Sequence, residues 1–305
     1  MHIDTLRVFC DVVDTRSFSE AARLNRVTQS AVSQRIRALE RMFDRKLLDR
    51  TPRAIQPTAA GEKLYEAARA VLTKYEELLE VMQEESFEPM GTVTIATIHS
   101  VGLHEIQHLI KELFRSHPKV TARLVYRRSD QIYDMVSKGE ADLGLVAFPK
   151  ERRELVQIPF TEDRLVVVVP PDHSFAKREK IPLSHLDGIN FVAFERDLPT
   201  RRAIDRLLRE HGSQVNITMA LDNVETLKRA VEIGIGISIL PRASVRSEVA
   251  AGTLVEVEIA DGVFTRPIAI LLRRGRTLSK ATEAVLQVFL QNDPKRLALA
   301  REATS

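Results

Sequence analysis

The sequence predicts a multidomain fold: an all-α head closed by a hairpin wing, one long linker helix, and a larger α/β region. Three observations lead there. Two short capped helices and a basic hairpin occupy residues 17–57, a heptad-spaced apolar seam follows, and strand and helix patterns alternate from Gly91 onward.

In the head, Ile3, Leu6, Cys10 and Val13 mark one face of a first helix. Ser17 and Glu20 form an S-x-x-E capping box, so a second helix starts at Phe18 and buries Ala21, Ala22 and Leu24 before Asn25 and Arg26 turn the chain. Thr28 caps a third. On it Val32, Ile36 and Leu39 fall on the core side, while Gln29, Ser33 and Arg37, each four apart, line the opposite face with Ser30 and Gln34. Such a strip can read base edges: glutamine bonds adenine bidentately, serine bonds several edges, and residues near the start of such a helix reach the major groove. An ordinary solvated helix face has the same pattern. Charge separates the two readings, because residues 23–53 carry nine Arg or Lys against three Asp or Glu, a net +6 within a chain of net +3. Lys46–Arg50 and Ile55–Pro57 then flank a turn at Thr51-Pro52-Arg53. This is a hairpin whose tip presents Arg50 and Arg53 to a minor groove or the adjoining backbone.

The next helix, capped by Thr58, carries Leu64, Ala68, Val71, Tyr75, Leu78 and Met82 at heptad spacing. Residues 61–88 hold three basic side chains and eight Glu, so this helix is not expected on DNA. Its seam suits a dimerising helix pair, the other reading being a helix packed on its own domain. Ser86–Gly91 is expected to end it as a hinge.

Beyond Gly91, strands are expected at 92–97, 120–126, 142–147, 165–169, 191–194, 237–240 and 267–272. Helices are expected at 103–115, 130–138, 201–210, 223–233 and 278–291. That alternation argues for parallel sheets with crossover helices, in two units divided near residue 164.

The head resembles the N-terminal domain of LysR-type transcriptional regulators. The resemblance rests on Ser17-Phe-Ser-Glu-Ala-Ala22, Leu24, Thr28-Gln-Ser-Ala-Val-Ser33, Ile36, Leu39-Glu40, Leu48-Asp-Arg50 and Thr58-Ala-Ala-Gly61 in their family order. It implies a winged helix-turn-helix DNA-binding domain over 1–60, a linker and dimerisation helix with hinge over 61–90, and a periplasmic-binding-protein-like effector domain over 91–305. That domain would have lobe I at about 91–163 and 267–291 and lobe II at about 164–266. It places Gln29, Ser30, Ser33, Gln34 and Arg53 at DNA, and the helix start, helix face and wing add Thr28, Arg37 and Arg50 to the expected DNA contacts. Many members carry Pro at Ser30 and Arg at Gln34, which leaves the base preference open.

The expected ligand groups sit where helices begin: Thr97, His99 and Ser100 after the first strand, Thr200 and Arg201 at a second start, Asn223 and Thr226 at a third. In LysR-type proteins the matching loops converge on the cleft between the lobes, which points to a small, anionic effector. For each residue, simple helix capping is the alternative. Leu198-Pro199 stands where many relatives have a Gly-containing loop.

His104-Glu105-Ile106-Gln107-His108 matches the H-E-x-x-H zinc motif, so a zinc-dependent hydrolase with an appended DNA-binding head is the alternative function. The extended motif requires Gly and His where the chain has Lys111 and Phe114, and the apolar residues around it already explain the helix. Gly234-Ile-Gly236 reads as a helix C-cap turn. A solute-binding or scaffolding protein that uses its head only to associate is a third reading. Cys10, the one cysteine, precludes an internal disulfide, and neither a membrane span nor a signal peptide is recognisable. The expectation is a cytoplasmic, non-enzymatic regulator that needs no cofactor or metal and has no membrane partner. It would bind an interrupted palindrome of double-stranded DNA as a homodimer or homotetramer, with RNA polymerase as a further partner if it activates.

Overall fold

The computed structural model describes residues 2–51, 54–82 and 88–304, and divides into two compact units, residues 1–87 and 88–305. In the first unit, α1 (Ile3–Thr15), α2 (Phe18–Leu24) and α3 (Gln29–Phe43) enclose a core of Phe9, Val12, Ala21, Val32, Ile36 and Leu39. The two short helices persist because their first turns are capped: the Ser17 hydroxyl accepts from the Glu20 N–H, and the Thr28 hydroxyl from the Ala31 N–H. Each cap is worth about 1 kcal/mol. Leu24, expected in the core, is instead 51% exposed at the last turn of α2, where the chain leaves through Asn25.

The wing is β1 (Leu48–Thr51) antiparallel to β2 (Ala54–Pro57). Glu40 accepts from the Leu47 and Leu48 N–H groups and Thr58 donates to the Lys46 carbonyl, which fixes both wing strands to the ends of α3 and α4 (Ala59–Met82). The heptad seam of α4 divides. Ala68 is buried and Leu64 half-buried in the head core, joined there by Leu72, which lies off the seam. Val71 (48%) and Leu78 (56%) face out, with Tyr75 half-buried. Met82's side chain, the Arg50 side chain, Arg53 and residues 83–87 of the expected hinge lie outside the described residues. The thiol of Cys10 is enclosed in the head core, where burial pushes it up to about 12. A thiol held that high is unreactive at neutral pH.

In the second unit the strands are β3 (Gly91–Thr97), β4 (Val120–Tyr126), β5 (Leu143–Ala147), β6 (Leu155–Val169), β7 (Lys180–Ile181), β8 (Asn190–Phe194), β9 (Asn216–Leu221), β10 (Ser238–Pro241), β11 (Val255–Ile259) and β12 (Thr265–Arg273). The helices are α5 (His99–His104), α6 (Gln107–Ser116), α7 (Ser129–Lys138), α8 (Pro199–Glu210), α9 (Val224–Glu232), α10 (Arg242–Ala251), α11 (Lys280–Phe289) and α12 (Pro294–Thr304). One sheet runs β4-β3-β5-β12-β6-β11-β7, with β10 also paired to β6, and β8 pairs in parallel with β9. The 15-residue β6 is the element whose extent sequence reading missed: its first part pairs with β12 in one lobe, and Leu165–Val169 pairs with β10 and β11 in the other. β12 crosses beside it. Asp163 and Arg266 are register partners at that junction.

The expected helix over 103–115 is two helices. The first starts at His99 directly off β3, with the Gly102 N–H bonded to the Ile98 carbonyl, and it ends where the Glu105 and Ile106 N–H groups both turn to the Val101 carbonyl. Gly102 allows this start. A Cβ there would lie 2.5 Å from Tyr126 and 2.6 Å from Thr97, so only glycine lets α5 lie against the ends of β3 and β4. Gly234, at φ +77°, turns the chain after α9 toward β10. No described helix is long and apolar enough to cross a membrane.

Candidate functional site

Two surfaces concentrate chemistry, one in each unit. On the head, α3 exposes Thr28, Gln29, Ser30, Gln34 and Arg37, with Ser33 half-buried among them. Gln29 Nε2 donates to Ser33 Oγ at 3.1 Å and Thr28, besides capping α3, shares a hydrogen bond with Ser30, so the Gln29, Ser30 and Ser33 side chains bond within this exposed strip and not to the core. Exchanging such bonds for base edges costs little. A shallow groove continues along Arg37, Arg41, Arg45 and Lys46, four basic side chains against the carboxylates of Glu40 and Asp44. This arrangement offers hydrogen bonds at the helix start and cations beside it, which suits one groove and its flanking phosphates.

In the second unit a narrow cleft of about 60 Å³ opens between the lobes. His99, Ser100, Thr200 and Asn223 line it, as the helix starts suggested. Thr97, Arg201 and Thr226 do not. Thr97 is fully buried beneath Gly102 with its hydroxyl on the Ile98 carbonyl. Arg201 is spent inside its own lobe, donating to the Phe194 carbonyl at 2.6 Å and to Asp205 at 2.7 Å. Thr226 donates back to the Asn223 carbonyl within the first turn of α9. Asn223 itself caps that helix, its Oδ1 accepting from Glu225 and Thr226, so capping and a place on the cleft wall coexist there. Among the described residues the Thr200 hydroxyl has no hydrogen-bond partner, and His99 stacks on Tyr126 with ring centroids 5.2 Å apart.

The residues that sequence reading missed are arginines. Arg127, Arg128 and Arg266 line the cleft against a single acid, Asp222. Arg266 comes from β12, more than 160 positions from Ser100, and its Nη1 donates to Ser100 Oγ at 2.8 Å while Nη2 reaches Asp163 at 3.2 Å. Burial pushes its guanidinium down, and the Asp163 and Glu105 carboxylates oppose that. Arg128, just before α7, crosses to the other lobe and pairs with Glu195 at 3.0 Å and with Asp197. A strand of alternating apolar residues gives no hint of a charge at 266; a Thr-Arg-Pro interruption within it was the available signal.

The zinc motif is taken apart by the break between α5 and α6. His104 bonds Glu225 of the opposite lobe at 2.7 Å, Glu105 turns toward Asp163, and His108 lies on a different hollow, so the two histidines do not share one helix. Among the described residues no cluster of three metal-ligating side chains occurs.

Comparison with known proteins gives a family for each unit. Residues 3–62 match the family model of bacterial regulatory helix-turn-helix proteins, lysR family, and residues 88–294 match that of the LysR substrate binding domain. A probable RuBisCO transcriptional regulator of Cyanidioschyzon merolae is 30% identical over 294 residues, covering 94% of this chain and 97% of the relative. The full-length CbnR structure in complex with its target DNA superposes with a TM-score of 0.70 at 19% identity, covering 97% of this chain and all of that one. The regulatory domain of Synechocystis PCC6803 CcmR, in complex with 2-PG, superposes with a TM-score of 0.61 at 28% identity, covering 66% of this chain and 97% of that domain.

Proposed function

Because this chain belongs to the LysR family of DNA-binding transcriptional regulators, we propose that its action on DNA is set by a small anionic effector held in the inter-lobe cleft. The observation that carries the reading is the cleft lining, where three arginines and the Ser100 and Thr200 hydroxyls converge against one acid. Arginine beside hydroxyls suits a carboxylate, sulfate or phosphate. Arg128 adds the link to conformation: its present partners, Glu195 and Asp197, belong to the other lobe, so an anion that competes for it changes how the lobes are held.

On this reading Gln29 and Ser33 read bases in a major groove, Ser30, Gln34 and Arg37 flank them, and Arg50 and Arg53 serve the wing. Val71, Tyr75 and Leu78 supply the apolar face by which α4 pairs with a second copy. Two-fold pairing calls for an interrupted palindrome, with a tetramer and RNA polymerase as further partners if the protein activates.

The test is a thermal-shift screen of small carboxylates, sulfur metabolites and phosphorylated compounds, 2-PG among them, followed by a gel shift on the DNA upstream of its own gene. A ligand that binds only the folded state raises the unfolding temperature. Thr200→Val, isosteric and at a hydroxyl with no partner among the described residues, should weaken the hit by about 1.5–3 kcal/mol, which is roughly tenfold or more. A hit whose affinity ignores Thr200→Val would place the effector elsewhere.

A further inference from the structure

Behind the cleft wall lies a second carboxylate that effector binding alone does not explain. Arg266 is fully buried at the junction of the lobes, and through one guanidinium it touches Ser100 of the cleft and Asp163 of β6. Asp163 also accepts from the Ala243 N–H at the start of α10. Glu105, at the break between α5 and α6, comes from the far side: its carboxyl is within hydrogen-bonding reach of Asp163, while its Oε1 is buried and, among the described residues, receives no donor. Two carboxylates in contact attract only when a proton lies between them. The wall therefore has one guanidinium facing the cleft in front and two carboxyl groups behind.

We infer that Glu105 holds a proton in the effector-free domain, donating it to Asp163, and that an anion bound beside Arg266 tightens this hold, so that effector binding takes up protons. The inference rests on the cleft reading above. With Glu105 ionised, Arg266 is outnumbered by Asp163 and Glu105, and a third negative charge at the cleft is repelled. With Glu105 protonated, the buried group is neutral and the anion meets Arg266 uncontested. Burial first, then the charge of Asp163 and the shared hydrogen bond, raise Glu105 from the usual carboxylate range to about 7, which sets the titration near neutral pH. The groups facing it are Asp163 from β6, Arg266 from β12 and Arg246 from α10, with His108 from α6, Glu162 from β6 and Arg296 from α12 in the same hollow. Arg266 and Arg246 oppose the shift, and burial with Asp163 outweighs them.

The experiment uses the full chain with sulfate, a dianion throughout the range that matters, and reads sulfate affinity from the rise in unfolding temperature of the effector domain. Between about pH 6 and about pH 8 the wild-type affinity should fall by up to about tenfold, the limit when only the protonated form binds. Glu105→Gln, neutral at every pH, should remove most of that fall, and Thr200→Val should weaken binding at both pH values while keeping it. An equal fall in wild type and Glu105→Gln overturns the proton link and leaves the cleft standing. Indifference to Thr200→Val overturns the cleft and the link together. If Glu105→Gln does not fold, calorimetry on the wild type in two buffers of different ionisation enthalpy decides: between zero and one proton taken up per sulfate near pH 7.5 supports the link, and zero overturns it.

Discussion

The exposed face of α3 and the wall of the cleft both present hydroxyl, amide and guanidinium groups, yet they are held in opposite ways. Gln29, Ser33 and Arg37 come from one stretch of helix, lie at or near the surface, and take no part in the core behind them. Ser100, Asp163 and Arg266 come from α5, β6 and β12, are buried, and are joined through the two Nη groups of Arg266, whose buried Nε has no partner among the described residues. A reading face made of free-standing side chains can change its specificity without changing the fold. A cleft wall that is also the junction of two lobes cannot, so the same substitution has different consequences in the two places.

The largest effect should therefore be structural and at the cleft. Arg266→Ala leaves Asp163 buried without its cation, and breaking a buried pair from one side costs about 3–5 kcal/mol. The unfolding temperature of the effector domain should drop, while DNA affinity of the folded protein at low temperature depends on the head. An unchanged unfolding temperature would mean that the wall is as replaceable as the surface of α3.

Of comparable size, but on assembly, is Leu78→Asp. Leu78 is exposed in the single chain, so its substitution should leave the monomer's stability nearly intact and act only where two copies meet, as a desolvated, unpaired charge. Sedimentation should show dimers lost and binding to a full palindrome weakened. Ala68→Asp is the contrast: it is buried in the head core and should unfold the head instead. If Leu78→Asp keeps the oligomer, α4 pairs through another face.

A smaller change separates affinity from stability directly. Gln29→Ala should cost about 1–3 kcal/mol in binding to the preferred operator and relax preference at one position in each half-site, with little change in unfolding temperature. The cleft variant Arg266→Ala is expected to show the reverse ordering. Retained specificity in Gln29→Ala would remove α3 from the bases.

The same contrast explains what could be read from the sequence. The head is local: Ser17 with Glu20, Thr28 with its helix, and the basic excess over 23–53 lie close enough along the chain for spacing to show them. The strand and helix alternation likewise showed the α/β region and the positions and parallel pairing of β3, β4 and β5. What spacing could not show was the pairing of distant elements. Capping marked Ser100, Thr200 and Asn223, which line the cleft, because a helix start is a local event, and the same rule took in Thr97, Arg201 and Thr226, whose side chains the fold uses elsewhere. Arg266 gave only the weak local signal of a Thr-Arg-Pro break in its strand; its meaning arises when β12 lies beside β6. The motif at His104–His108 failed for a related reason, since helical spacing was assumed across a break that Gly102 and the turn at Glu105 impose.

The smallest predicted effect follows from the proton at Glu105 and needs no ligand. Its carboxyl is raised in the folded protein from its ordinary value of 4.5 to about 7, so between those values the folded state holds a proton that the unfolded chain has released. Folded-state proton binding in excess of the unfolded state makes stability fall as pH rises, so this contribution is full below about 4.5 and gone above about 7. His173 runs the other way: burial lowers it, the unfolded chain binds the extra proton, and stability rises with pH through the histidine range. The two slopes overlap, and their sum in the wild type can be shallow. Glu105→Gln separates them, because it removes the carboxylate and leaves His173 in place. The variant's unfolding temperature should climb relative to wild type by a few degrees between about pH 5 and about pH 8, whatever its absolute stability. Parallel curves would mean that Glu105 is ionised throughout, and the cleft wall would then have to tolerate two buried carboxylates on one arginine.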